Sequence, residues 1–245
     1  VPGGYALSGA QSKIRLRGLP EQYTLILIDG RRQGNSSCVN YRDDLGPQDL
    51  NWLSPDMIER IEVVRGPMSS LYGSDAMGGV INIITRKIAS EWGGSVTFNY
   101  SKPDSPTRGD TTQMGALFSG PLTENLGLRV GANVTNRESD TGRRETPGNK
   151  AENANALLNW RVNDDHTVGV EASRGEQRNS GAGAVGAWGL SKLVQTGYVV
   201  MHDGRYGDAA TSKTTLVQND YEDKGSAVGT HSKETVFDTA FTRSF

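Results

Sequence analysis

The chain of 245 residues contains one cysteine, Cys38, so no disulfide can close within it and Cys38 reads as a small loop residue. Its three histidines, His166, His202 and His231, are scattered and match no metal-ligand spacing. With Lys+Arg 26 against Asp+Glu 28 the net charge is -2, which excludes the basic excess of a nucleic-acid binder. No apolar run approaches the about 18 to 20 residues of a membrane-crossing helix. That absence excludes only helical spans, because transmembrane β-strands alternate lipid-facing and lumen-facing residues and keep mean hydropathy low, here -0.53. Catalytic signatures are missing too. Ser69-Ser70 and Tyr72 lack a G-x-S-x-G elbow or a suitably placed histidine. The glycines between Gly66 and Gly79 are not closed by the Gly-Lys-Ser/Thr of a phosphate loop. The chain is expected not to be an enzyme.

What is present is patterned most densely between Met57 and Lys87. Two β-branched apolar runs, Ile58 to Val64 and Val80 to Thr85, flank a segment holding Gly66, Pro67, Gly73, Gly78 and Gly79. This predicts strand, compact connection, strand. Ile61 and Val63 alternate with Arg60, Glu62 and Val64, the pattern of a half-buried strand, whereas VINII is apolar on both faces and should be central. Pro67 can start a helical turn ending at Gly73, and Gly78-Gly79 suits a backbone position where a Cβ would clash.

Upstream, Ile14 and Leu16 alternate with Lys13, Arg15 and Arg17 as a short strand closing at Gly18. Tyr23 to Ile28 is an apolar strand ending at the turn pair Asp29-Gly30. Residues 31–53 form a long polar loop, a length that tends to be functional. Ser54-Pro55-Asp56 then opens a helical turn. Charges on or beside such strands, Arg15, Arg17, Arg60 and Arg65, persist only if paired.

After Ala89 the texture becomes a series of segments of about ten residues, the length of a tilted barrel strand. Val96, Phe98 and Tyr100 alternate with Ser95, Thr97 and Asn99. Leu126, Leu128, Val130, Ala132 and Val134 alternate with Gly127, Arg129, Gly131, Asn133 and Thr135. Ala154, Ala156, Leu158, Trp160 and Val162 oppose Asn155, Asn159 and Arg161, and Val168, Val170 and Ala172 oppose Thr167, Gly169, Glu171 and Ser173. The intervening segments run alternately long and short: 101–109, 120–125, 137–150, 163–165, 175–191, 203–210 and 222–232. Such parity is what up-and-down barrels show and soluble Greek-key sandwiches do not. About eight strands are expected, too few to surround a plug, since plugged transporters have about 22.

The segments IERIEVVRGPMSSLYGSDAMGGVINIIT, Ile14 to Gly18 (IRLRG) and Thr24 to Gly30 (TLILIDG) resemble the plug of TonB-dependent outer-membrane receptors. The likeness is strongest to the colicin I receptor and ferric enterobactin receptor branch. The resemblance implies an α+β plug domain, 1–88, followed at 89–245 by the first strands of a large antiparallel transmembrane β-barrel. Val1-Pro2-Gly3-Gly4 resembles the IPGV segment that in this family follows a plug helix, so the chain is expected to begin within the plug. Its end at Phe245 falls in an expected strand, so the C-terminal barrel strands are expected to be missing.

The resemblance further implies import of a ferric siderophore, of catecholate type, across the outer membrane of a Gram-negative bacterium. Energy would come from the TonB-ExbB-ExbD complex through a TonB box preceding Val1. Other implied partners are outer-membrane lipid and colicins, with no nucleic acid and no cofactor beyond the transported ligand. Arg17 and Arg65, in the IRG and RGP segments, would latch the plug to barrel glutamates beyond this sequence. A bulky catecholate anion attracts basic and aromatic groups. Arg31, Arg32, Tyr41 and Arg42 on the plug loop and Arg143 and Arg144 on a barrel loop are therefore the ligand candidates. The same fold carrying haem, cobalamin or another nutrient, and a signalling or adhesion barrel that transports nothing, are the alternatives.

Overall fold

The structure is a computed structural model describing residues 16, 18, 19, 23–32, 53, 55–68, 76–141, 148–180, 191–224 and 230–243. They form two sheets.

The smaller sheet contains β1 (Thr24–Ile28), β2 (Arg31–Arg32), β3 (Ile58–Arg65) and β4 (Gly79–Thr85) in the order β2-β1-β4-β3. The VINII run is central as expected, with β4 parallel to β1 on one side and antiparallel to β3 on the other. β1 is buried throughout because both faces are covered. Ile26 and Ile28 pack with Leu53, Met57, Ile81 and Ile83 on one face, and Leu25 and Leu27 with Ala76 and Val80 on the other. Asp29 and Gly30 link β1 to β2 with φ of 52° and 76°. Positive φ at both central residues is what a two-residue type I′ turn demands, and Asp-Gly supplies it at low strain.

Gly79 sits at φ 141°, and a Cβ there would collide with the Val64 carbonyl. At Gly78 a Cβ would lie 2.9 Å from the Tyr23 carbonyl oxygen. The glycine pair therefore lets β4 enter between its neighbours, as its sequence suggested.

Two expectations are corrected. β3 is not half-buried beyond Ile58, which packs on the Met57 cluster: Ile61, Val63 and Val64 are all exposed, since β3 is the edge of this sheet. Leu16 lies in a bend rather than in a strand, and Gly18, where that strand was expected to close, lies in a turn. The helical turn begun at Ser54 is realised as a 3-10 turn at Pro55–Met57, while most of the turn expected between Pro67 and Gly73 lies outside the described residues.

The larger sheet contains β5 (Gly93–Ser101), β6 (Thr111–Thr123), β7 (Leu126–Arg137), β8 (Gly148–Arg161), β9 (His166–Ser180), β10 (Ser191–Tyr206), β11 (Ala210–Asp223) and β12 (Thr230–Arg243). Each strand pairs antiparallel with the next, and the spatial order is the chain order, an open meander of the expected eight strands. Segments 102–110, 138–147, 181–190 and 224–229 join the strands at one end, and the shorter 124–125, 162–165 and 207–209 at the other, so the expected parity holds. Gly120 and Pro121, expected in a connection, continue β6, whose ladder shifts between Pro121 and Thr123.

Alternation divides the wall into two faces. Val96, Phe98, Met114, Phe118, Leu158, Trp160, Val170, Tyr198, Val200, Leu216, Phe237 and Phe241 form an exposed apolar face. Arg129, Asn133, Asn155 and Glu171 lie on the opposite face and are buried. β6 to β12 are 12 to 16 residues long, more than the about 9 to 11 that span a bilayer. Trp92, Trp160, Tyr206 and Phe241 lie towards the short-connection end, where a membrane-interface belt of aromatics belongs.

Replacing Gly79 by alanine should destabilise the small sheet by about 1–3 kcal/mol through backbone strain. The loss should appear as a lower urea midpoint for the small sheet, with the wall transition unchanged.

Candidate functional site

The small sheet is held against the polar face of the wall, and five successive wall strands each contribute one residue to the seam. In β5, Thr97 Oγ1 donates to Asp56 Oδ1 at 2.9 Å. In β6, Leu117 joins the cluster of Ile26, Ile28, Met57, Ile81 and Ile83. Arg129 of β7 donates through Nη1 to Thr85 Oγ1 at 3.0 Å and to the Arg86 carbonyl oxygen. Asn155 of β8 donates through Nδ2 to Met57 Sδ at 2.8 Å. In β9, Glu171 Oε2 accepts from Arg31 Nη2 at 3.2 Å.

The last of these contacts belongs to a chain of polar groups. Arg31 Nη2 also lies 3.3 Å from Asp29 Oδ2, and its Nε donates to the Ile28 carbonyl oxygen at 3.3 Å. Asp29 in turn accepts from the Thr85 backbone N–H and hydroxyl, each at 2.8 Å. The type I′ turn makes this possible by aiming the Asp29 carboxylate sideways at the end of β4. Glu171, Arg31, Asp29, Thr85 and Arg129 therefore form one continuous network, with one cation and one anion from each body. Arg129 is 2 % exposed and the Arg31 and Glu171 side chains are 14 % and 10 % exposed. Charges so far from water persist only when compensated, Arg31 and Glu171 by one another and Arg129 by its hydrogen bonds to Thr85 and the Arg86 carbonyl, and removing one partner of a buried pair costs about 3–5 kcal/mol.

This seam is polar except at Leu117 and the Met57 cluster. A continuous apolar interface of the same extent would resist separation. At the far edge of the small sheet, Arg60 pairs with Glu59 at 2.8 Å and Glu62 at 2.9 Å. The hydrogen bond that Arg60 Nε donates to Glu62 is the main cause of its guanidinium being held above the ordinary range.

Of the residues singled out in the sequence, Arg65 ends β3 in an exposed position, and no described acid lies within ion-pair distance. Arg31 is turned to Asp29 and Glu171, so its guanidinium anchors the start of the plug loop to the wall. Arg32 forms β2 beside it. Arg17, Tyr41, Arg42, Arg143 and Arg144 lie outside the described residues. Sequence reasoning missed Leu117, Arg129 and Glu171 as seam residues. Two carried a signal: Leu117 is the one large apolar residue among Gln113, Gly115 and Ser119, and Glu171 the one acid among Thr167, Gly169 and Ser173.

Residues 1–80 match the family described as TonB-dependent Receptor Plug Domain. The chain is 36% identical over 228 residues to the iron-regulated outer membrane virulence protein of Vibrio cholerae, covering 88% of this chain and 35% of that protein. It is 34% identical over 194 residues to the ferric enterobactin receptor of Pseudomonas aeruginosa, covering 70% of this chain and 26% of that protein. Among solved structures, the siderophore receptor PirA of Pseudomonas aeruginosa superposes with a TM-score of 0.78 at 29% identity, over 93% of this chain and 38% of that one. The chain thus spans about a quarter to a third of the length of these curated relatives.

Leu117→Ala should lower the stability of the plug against urea by about 2–5 kcal/mol, the range for a buried leucine. Phe118→Ala, one residue along and on the opposite face, should leave plug release unchanged. Equal effects of the two would mean that the faces are wrongly assigned.

Proposed function

The chain belongs to the TonB-dependent receptors of the Gram-negative outer membrane, and from that premise we propose that it is part of a receptor importing a ferric siderophore of catecholate type into the periplasm. Supporting this reading is a small mixed sheet seated on the polar face of a wall whose other face is apolar. Residues 1–88 act as the plug and 89–245 as the first part of the barrel. The plug blocks the lumen, ligand arrives at the end carrying the long connections, and energy delivered by TonB at the opposite end frees the plug.

In this proposal Arg32, Tyr41 and Arg42 on the plug loop, with Arg143 and Arg144 on the loop between β7 and β8, meet the ligand. Arg31 is the base from which the plug loop extends. Basic and aromatic groups suit a bulky catecholate anion. Arg17 and Arg65 latch the plug to barrel glutamates outside β5 to β12. The long-loop end is also the surface open to a colicin, and the apolar face is covered by outer-membrane lipid.

A strain lacking its other siderophore receptors, supplied with the complete receptor, should grow on a ferric catecholate as sole iron source only when TonB is functional. Growth restored by haem or cobalamin and not by the catecholate would overturn the substrate; binding without TonB-dependent uptake would overturn the transport role. Substituting Arg32 and Arg42 by alanine should weaken ligand affinity by about tenfold or more, from two lost charge contacts. Arg17→Ala and Arg65→Ala should raise permeability to large antibiotics without altering that affinity.

A further inference from the structure

The charge cluster at the seam has a symmetry that a simple ion pair lacks. Asp29 and Arg31 lie two residues apart on the plug, and Arg129 and Glu171 lie on the wall strands β7 and β9. In the closed arrangement Arg31 reaches across to Glu171 while still touching Asp29. Arg129 reaches across to Thr85 and the Arg86 carbonyl, and it shares one row of the wall with Glu171, both lying opposite Leu157 of β8. Arg31 Nη1 and Arg129 Nε are buried donors with no acceptor among the described residues.

Resting on the receptor reading above, we propose that Asp29, Arg31, Arg129 and Glu171 form a partner-exchange latch. When the plug moves, Arg31 keeps Asp29 and Arg129 takes over Glu171. Each body then departs with one cation and one anion, and neither surface is left with an uncompensated buried charge. Stranding such a charge is the largest electrostatic penalty of opening a buried ion pair. Arg31 Nη1 and Arg129 Nε, donors without an acceptor among the described residues, are the hydrogen-bonding capacity the exchange uses. Asp29 and Arg129 are thus positioning residues for transport although neither is expected to meet the ligand.

A charge swap separates this latch from an ordinary ion pair. Arg31→Glu with Glu171→Arg restores a pair across the seam but gives the plug two acids and the wall two arginines. Ligand affinity and resistance to large antibiotics in the complete receptor should stay at the wild-type level. The rate of TonB-dependent uptake should fall by at least about tenfold, and the urea concentration that opens conductance in planar bilayers should rise. Wild-type uptake by the swap overturns the proposal.

If the swapped receptor does not assemble, two milder variants give the same decision. Glu171→Gln strands Arg129 on the wall and should slow uptake severalfold; adding Arg129→Gln should bring the rate back towards wild type. A double variant slower than the single overturns the exchange, because a static latch can only lose by the second change. Failure of the wild-type receptor to import any ferric siderophore would sink the functional reading alone, since urea-induced conductance still reports the latch.

Discussion

The rest of the structure depends on charge being buried between the small sheet and the wall. Arg129, Arg31 and Glu171 lie where water scarcely reaches, and each stays charged because its neighbours compensate it. That requirement fixes how the small sheet sits. Met57 under Asn155, Asp56 beside Thr97 and Thr85 beneath Arg129 all follow once the polar face of the wall is matched to the end of β4. The apolar contribution at the seam is confined to Leu117 and its cluster. Hydrophobic burial therefore holds the small sheet together, and directional polar contacts locate it on the wall.

The wall obeys a different constraint. A strand in a bilayer must give every backbone group to a neighbour and present one greasy face, which imposes period 2 over long stretches. Such a rule writes itself plainly into sequence. The alternation of Leu126 to Val134 and of Ala154 to Trp160 was readable without coordinates, and so was the alternation of connection lengths. β4 was equally legible, because a run apolar on both faces has few places to go. β3 was less so: its alternation suggests a covered face, but an edge strand with unpartnered sides carries the same pattern.

The seam itself was the least legible part. Arg31 and Glu171 are 140 residues apart, and nothing local in either segment names the other. Read alone, Arg31 belongs to a basic loop with Arg32 and Arg42, so an anion from solution is the natural partner to infer. Geometry supplies a carboxylate from within the chain. Asp29 shows the same limit from the other side: Asp-Gly marks a turn, but that the turn aims its carboxylate at Thr85 is a property of the finished sheet.

From β7 to β12 the strand ladders run without a single break in pairing. A lone residue added to any of these strands would turn every later side chain in it to the wrong side, setting asparagines and acids against hydrocarbon and valines against the lumen. Two added residues would keep the faces and shift only the height. Length variation among related chains should therefore fall in 102–110, 138–147, 181–190 and 224–229, or come in even steps within strands. The surface presented outward can diversify freely, while the part that must seal against the plug keeps its frame.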